Sequence, residues 1–185
     1  MKMVAVASGK SSGFASRITP ANIFGLLRLM CGHLARLWLA YLMVAGCLYL
    51  FNGNYEIAYN RTHSLPYQFF LIHYGEPVQR GDFIAFRWNG SYPYKKGQVF
   101  VKIAAGVAGD EVTRVGQEFF VAGQSVGSAK PFGLRGQPLE ASGTGTIGPY
   151  QYYVKAPHKD SLDSRYAMLG LVKQSDVVGR AYVIF

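Results

Sequence analysis

The stretch VFVKIAAGVAG, Val99–Gly109, combines an apolar strand with one central lysine. Alternation along a strand sends apolar side chains to both faces and puts Lys102 on the same face as Phe100 and Ala104. A buried ammonium is unfavourable unless it is paired or loses its proton, because desolvation lowers the pKa of a lysine. Three readings of Lys102 follow: an ion-paired lysine, an edge lysine whose tip reaches water, and a neutral general base.

The chain on either side of this stretch is typical of a β-rich domain. Its 22 Gly, 13 Tyr and 12 Phe indicate many turns and many strand-favouring aromatic residues. Glu111–Gly127 predicts two strands that turn near Gly116 and Gln117, and residues 127–149, rich in Gly, Ser, Thr and Pro, predict a long loop or a weak hairpin. Four other segments predict strands: Asp82–Trp88, Gln98–Ala104, Tyr150–Ala156 and Val177–Phe185.

A long uncharged segment, Leu37–Phe51, precedes this domain and predicts a single transmembrane helix over residues 37–55. Residues 1–36 contain five Lys or Arg and no acidic residue, so the positive-inside bias predicts a cytoplasmic N-terminus. Residues 56–185 would then form an exported domain, which in a bacterium with two membranes is a periplasmic domain at the inner membrane. A cleavable signal peptide, or a lipoprotein box at Val44–Cys47, is the alternative reading.

Composition also excludes several classes of function. The net charge of +9 is concentrated near the N-terminus, and the domain has no run of Lys or Arg, so we expect no nucleic-acid partner. Both cysteines, Cys31 and Cys47, lie in or beside the apolar segment, which leaves the domain without a disulfide or a cysteine nucleophile. We predict no metal and no cofactor, since the histidines lack metal-ligand spacing: His33, His63, His73 and His158.

The segment NRTHSLPYQFF, Asn60–Phe70, contains a candidate nucleophile. Pro66 makes the chain extended at Leu65, just after the Ser64 hydroxyl. A serine nucleophile needs a base within hydrogen-bond distance and donors for the oxyanion, so Ser64 alone could equally be a turn residue. Neighbouring apolar side chains would either form a core strand or bind an extended substrate or the membrane interface: Leu65, Tyr67, Phe69, Phe70, Leu71 and Ile72.

A third polar segment, KDSLDSRYAMLG, occupies Lys159–Gly170. It is either a hydrated turn with a local ion pair between Asp163 and Arg165, or a segment that orients a catalytic group.

The order and spacing of these segments resemble the type I signal peptidase superfamily of serine/lysine-dyad membrane proteases, over Asn60–Phe185. THSLP is similar to the nucleophile box of that family, and VFVKIAAGVAGDEV to its lysine box. DSLDSRY is similar to its Ser-x-Asp-Ser-Arg box, while RGDFIAF and DVVGRA resemble adjoining strands. The resemblance implies a mostly β, signal-peptidase-like folded sheet or barrel on one N-terminal transmembrane helix.

The resemblance also implies a role for each matching residue. Ser64 would be the nucleophile and Lys102 the general base. Ser161 would orient the Lys102 amine, while the Ser64 backbone N–H and the Thr62 hydroxyl would form the oxyanion hole. Two residues would support the site as an ion pair: Asp163 and Arg165.

The pattern Asn60, Thr62, Ser64 and Pro66 resembles a specialised subfamily, the TraF-type peptidases of conjugative transfer. Housekeeping enzymes usually have Gly-Asp-Asn where this chain has Ala156–His158, a difference that points away from general secretion. The similarity to TraF-type peptidases implies a pilin precursor as substrate, matured or cyclised for type IV secretion, with the membrane and other conjugation components as partners.

Three alternatives remain open at this point. The protein could be a housekeeping type I signal peptidase that acts on secretory precursors, or a non-catalytic β module of a secretion complex. A Ser-His-Asp hydrolase that uses His158 or His73 is the third, although it leaves Lys102 without a role.

Overall fold

A computed structural model of the chain describes residues 20–62, 64–90 and 94–185. The start of the predicted cytoplasmic segment, residues 1–19, and His63 of the nucleophile box lie outside the described residues. The chain divides into two compact units, Met1–Tyr49 and Leu50–Phe185.

One long helix, α1, spans Pro20–Asn54. The helix starts well before Leu37, the first residue of the predicted membrane segment. By length and composition it can cross a membrane, a test that a signal sequence near an N-terminus also meets.

The regular structure described after α1 is almost entirely β, as predicted. A seven-stranded sheet has the order β1-β2-β11-β3-β4-β9-β10, and all its neighbouring strands are antiparallel. Its strands are β1 (Tyr55–Tyr59), β2 (Phe69–Tyr74), β3 (Phe83–Arg87), β4 (Val99–Gly106), β9 (Gln151–Lys155), β10 (Val172–Lys173) and β11 (Val177–Val183).

A smaller sheet has four strands in the order β7-β6-β5-β8. Its strands are β5 (Glu111–Val115), β6 (Glu118–Val121), β7 (Gln124–Ser128) and β8 (Gly145–Thr146). The remaining regular element is a 3₁₀ turn at Gln174–Asp176, just before β11.

Three buried apolar clusters form the core of the second unit. Two lie on opposite faces of the large sheet, because the neighbouring β3 residues Ala85 and Phe86 belong to different clusters. The third joins the small sheet to β9 through Tyr153. Its other large side chains are Phe119, Val121, Ile147 and Tyr166.

The predicted strands are all present, with two differences. Glu111–Gly127 forms parts of three strands instead of two, because a second tight turn at Ala122 and Gly123 follows the predicted turn at Gly116. Both residues of this second turn have positive φ, 48° and 77°, which matches the twist of a two-residue hairpin. Strand β1 was not predicted, since its sequence YEIAY is short and follows the apolar helix directly.

Some of the apolar residues that follow Ser64 form a core strand, one of the two roles predicted for them. Leu65, Phe70 and Ile72 are buried in one cluster of the large sheet. Phe69 and Leu71 point to the opposite face of β2 and are half-buried. Residues 129–144 form a loop with isolated bridges from Phe132 to Pro138 and from Ala141 to Tyr166, and only the short strand β8 follows it.

Candidate active site

Ser64 lies in a compact loop between β1 and β2 that is organised by one asparagine. The Asn60 side-chain amide donates to the carbonyls of Leu65 and Tyr67, each at 3.0 Å. Its side-chain oxygen accepts from the N–H and the hydroxyl of Thr62, each at 3.3 Å. The Asn60 backbone N–H closes the loop on the Gln68 carbonyl at 2.8 Å. These bonds hold both ends of the turn that presents Ser64.

The Ser64 side chain itself is buried, with 6% of its surface exposed. Thr62 Oγ1 lies 3.2 Å from Ser64 Oγ, so the two hydroxyls share a hydrogen bond. Because hydroxyl protons rotate freely, the same contact is compatible with either oxygen as donor. Thr62 therefore links the Ser64 hydroxyl to the Asn60 side chain.

Lys102 sits in the middle of β4, opposite Ile84 of β3. Its face of the strand is buried together with Phe100 and Ala104, and Lys102 is only 5% exposed. The Lys102 ammonium donates to Ser161 Oγ at 2.7 Å. Burial lowers the Lys102 pKa from its usual 10.5 to about 8, opposed by Asp163 and reinforced by Arg165.

The polar segment from Ser161 to Arg165 is buried throughout, except for the half-buried Leu162. Asp163 and Arg165 form a bidentate ion pair, with both N···O distances 2.8 Å. Asp163 also accepts the Ala156 N–H at 3.1 Å, just after β9. Ser164 Oγ accepts a hydrogen bond from the Val154 N–H at 2.9 Å, so the segment is hydrogen-bonded to β9. The Ser161–Arg165 segment is therefore not a hydrated turn, which was one of the two predictions made for it.

Arg165 also connects this segment to the small sheet. Its guanidinium donates to the Ser128 carbonyl of β7 at 3.0 Å. The absence of a side chain at Gly127 leaves space for the guanidinium, because a Cβ at this position would lie 3.1 Å from an Arg165 nitrogen. The Gly127 φ of 99° also favours glycine. The ion pair therefore connects both sheets behind Ser161.

One pocket of about 200 Å³ brings the candidate residues together. Ser64, Thr62, Lys102 and Ser161 all line it, while Asp163 and Arg165 do not. Most of the other lining residues were not assigned to the site from the sequence, among them Asn60, Tyr94, Leu134 and Asp160. Asn60 gave a sequence signal as part of the Asn-Thr-Ser-Pro pattern, and His158 as the base of the alternative hydrolase.

The two histidines of the alternative hydrolase lie in different places. His73 does not line the pocket and contacts Glu76 through Nδ1 at 2.8 Å. His158 does line it, but is exposed and accepts the Asp160 backbone N–H at 3.2 Å. Within residues 20–62, 64–90 and 94–185, no three His, Cys, Asp or Glu side chains are grouped to hold a metal ion.

The edge of β4 beside this pocket is unpaired along its first half, among the residues that the structure describes. β9 pairs with β4 only from Ile103 onward. The Ala104 N–H donates to the backbone carbonyl of Asp82, next to β3. In this antiparallel ladder the even-numbered residues of β4 therefore form their backbone hydrogen bonds with β3. Val99 and Val101 therefore direct their backbone groups to the free edge, where an extended peptide can add as a strand.

A mostly β domain whose pocket holds a serine hydroxyl and a buried amine has the groups of a serine hydrolase. Residues 31–185 match the family model described as signal peptidase, peptidase S26. This match covers most of the chain, so the chain belongs to the S26 signal peptidase family and is a serine peptidase. The family and the apolar helix α1 together indicate association with a membrane.

A solved signal peptidase I from Enterococcus faecalis is 26% identical, over 57% of this chain and 97% of that chain, with a TM-score of 0.39. No curated protein sequence matches the chain.

Proposed function

We propose that the protein is a membrane-bound endopeptidase that processes precursor proteins with Ser64 as nucleophile and Lys102 as general base. The observation that carries the proposal is the burial of the Lys102 amine in the wall of the Ser64 pocket, with its pKa lowered to about 8. A base with a pKa near the operating pH is partly neutral and can still accept a proton efficiently.

The reaction is acyl transfer in two halves. Lys102 Nζ takes the Ser64 proton as Ser64 Oγ forms a bond to the scissile carbonyl carbon. The tetrahedral intermediate collapses, the C–N bond breaks, and Lys102 returns the proton to the leaving amine. Water then attacks the acyl-enzyme as Lys102 accepts its proton, and this proton returns to Ser64 Oγ when the carboxyl product leaves.

The Ser64 backbone N–H and the Thr62 hydroxyl would stabilise the oxyanion. Thr62 has one hydroxyl proton, shared in the resting site between contacts to Ser64 Oγ and Asn60 Oδ1. The hydroxyl must turn away from these acceptors to donate to the oxyanion, while Asn60 still holds the Thr62 N–H. The precursor would bind as an extended strand on the Val99–Val101 edge of β4.

For the substrate, we propose a pilin precursor of a conjugative type IV secretion apparatus. The pattern of Asn60, Thr62, Ser64 and Pro66, similar to TraF-type peptidases, supports this choice. Transfer of the acyl group to the precursor's own N-terminal amine in place of water would give a circular pilin. The charge bias of residues 1–36 supports a cytoplasmic N-terminus and a periplasmic catalytic domain at a bacterial inner membrane.

The test uses the full chain in detergent or liposomes with two probes, a conjugative pilin precursor and a secretory precursor. Mass spectrometry follows cleavage by wild type, Ser64→Ala, Lys102→Met and His158→Gln. We expect the first two variants to leave the pilin precursor intact and His158→Gln to cut it at close to the wild-type rate, because the base is a buried amine.

Each alternative has its own outcome. Equal cleavage of both precursors supports the housekeeping reading, and a pilin product lighter by one water supports cyclisation. Loss of activity in Ser64→Ala and His158→Gln, with Lys102→Met still active, supports a Ser-His hydrolase. A wild type that cuts neither precursor supports a non-catalytic module.

A further inference from the structure

A second cavity, of about 400 Å³, lies beside the pocket of Ser64 and Lys102. It is formed largely by the loop before β8 and by residues between Asp160 and Met168. Apolar and aromatic side chains predominate in its wall, among them Phe132, Leu134, Leu139, Leu162, Tyr166 and Met168. None of these residues has a role in the acyl-transfer steps above.

The loop that forms one wall of this second cavity is internally bonded. The Gly133 N–H donates to the Gln137 carbonyl and the Leu139 N–H to the Pro131 carbonyl, both at 2.9 Å. The Lys130 N–H donates to the Tyr166 hydroxyl at 3.2 Å, across the cavity wall. Backbone bonds therefore shape this wall, and the glycine-rich composition of the loop does not leave it unstructured.

The second cavity is continuous with the first pocket. The two share a boundary that includes Leu134, Asp160 and Ser161. Ser161 is the residue that accepts the hydrogen bond from Lys102, so the second cavity begins next to the reacting groups. Lys130 forms an ion pair with Asp160 at this boundary. A polypeptide bound across Ser64 thus has a route into the second cavity.

The rim of the second cavity exposes large apolar side chains. Phe132 is 60% exposed and Met168 is 48% exposed. Apolar surface of this kind gains free energy when another chain covers it, and exposed apolar clusters commonly mark binding sites. Since the rim adjoins the pocket where the precursor would be cut, the precursor itself is the chain best placed to cover it.

We infer that the second cavity is a substrate subsite that binds an apolar side chain of the precursor a few residues from the scissile bond. This inference rests on the proposed peptidase function and adds a specificity determinant to it. The occupant is a residue such as Leu or Phe, because the wall offers mainly apolar contacts.

The test compares wild type with the double variant Phe132→Ser, Met168→Ser. Both side chains are exposed and line only the second cavity, so the substitutions spare the core and the Ser64 pocket. Val115→Ser is the matched control, because Val115 is 73% exposed on β5 and lines neither cavity. Circular dichroism and thermal unfolding check that each variant is folded.

The probes are synthetic peptides that span the junction cut by the wild type, each with one position changed to Leu or to Asn. At one position away from the scissile bond, we expect the wild type and Val115→Ser to prefer Leu by about tenfold in kcat/KM, mainly through KM. In the double variant this preference should fall to about twofold or less.

Two results would overturn the inference, and they are distinguishable. If the double variant keeps the wild-type preference at every position, the second cavity is not a substrate subsite, while the peptidase function stands. If the wild type cuts neither the precursors nor the peptides, the proposed function fails and the subsite fails with it.

Discussion

Lys102 Nζ lies 2.7 Å from Ser161 Oγ, and both side chains are buried. A neutral amine has two N–H donors and one lone pair, and this hydrogen bond occupies one donor. Rotation of the amine is then restricted at the wall of the pocket that Ser64 also lines. The hydrogen bond to Ser161 thus limits the directions that the Lys102 lone pair can take, while burial lowers the Lys102 pKa.

The pH dependence of cleavage should follow the Lys102 pKa of about 8. About a tenth of Lys102 is neutral at pH 7 and about nine tenths at pH 9, so kcat/KM should rise about tenfold over that interval. Initial rates on one peptide across this range, with stability checked at each pH, measure the profile. A profile that is flat from pH 7 to pH 9 would contradict Lys102 as the base.

Lys102→Met should stabilise the fold at neutral pH while abolishing activity. The Lys102 pKa is about 8 in the folded protein and near 10.5 in the unfolded chain, so the unfolded chain binds more protons between these values. The penalty of burying the charge is therefore complete below pH 8 and disappears as the pH rises to 10.5. Denaturant unfolding should show the advantage of Lys102→Met shrinking by about 3 kcal/mol over this interval.

Asn60→Asp should slow acylation with little change in KM. The substitution keeps the oxygen that accepts from Thr62 but removes the amide donors to the Leu65 and Tyr67 carbonyls. Loss of two hydrogen bonds in the nucleophile loop predicts a decrease in kcat of about tenfold or more. The midpoint of the pH profile should rise, because the new carboxylate lines the same pocket as Lys102 and favours its charged form.

Asn54→Asp is the matched control for Asn60→Asp. Asn54 also donates its side-chain amide to a backbone carbonyl, that of Leu50, but at the end of α1. Single-turnover rates should match wild type for Asn54→Asp. Equal rates for both variants would show that the Asn60 amide does not position Ser64.

Arg165→Met should destabilise the protein strongly, because it leaves the fully buried Asp163 carboxylate without its ion pair. Breaking a buried pair in this way destabilises by about 3–5 kcal/mol. In the double variant Asp163→Asn, Arg165→Met, part of the loss should be recovered, since the unpaired charge is gone. A double variant that is no more stable than Arg165→Met would contradict this account.

Gly179→Ala should prevent folding of the large sheet. A Cβ at Gly179 would lie 1.9 Å from the His73 carbonyl oxygen, which belongs to the backbone of β2 and cannot move aside cheaply. Gly143→Ala is the control, because a Cβ there meets nothing within 4 Å. The yield of detergent-extracted protein and its circular dichroism distinguish the two, and a normally folded Gly179→Ala would show that β11 can shift.

The identity of most strands, the apolar helix and the residue types of the candidate site followed from the sequence alone. Strand period and turn chemistry are local properties, so Phe83–Arg87 and Val99–Gly106 were predictable within two residues. The lysine in an apolar strand was conspicuous because neighbouring residues predict its burial. Strand β1 could not be predicted by such local reasoning, because this segment is a strand only through its pairing with β2.

The sequence could not show whether Lys102 is neutral, because that depends on groups brought together across the fold. Ser161 lies 59 residues further along the chain, yet its hydroxyl accepts the Lys102 hydrogen bond. Asp163 and Arg165 change the Lys102 pKa in opposite directions, and their balance depends on distances that no local pattern encodes. The second cavity likewise exists only because the 129–144 loop folds back toward Leu162 and Met168. Desolvation and long-range contacts arise only when distant segments pack together, and these decided the chemistry of the pocket.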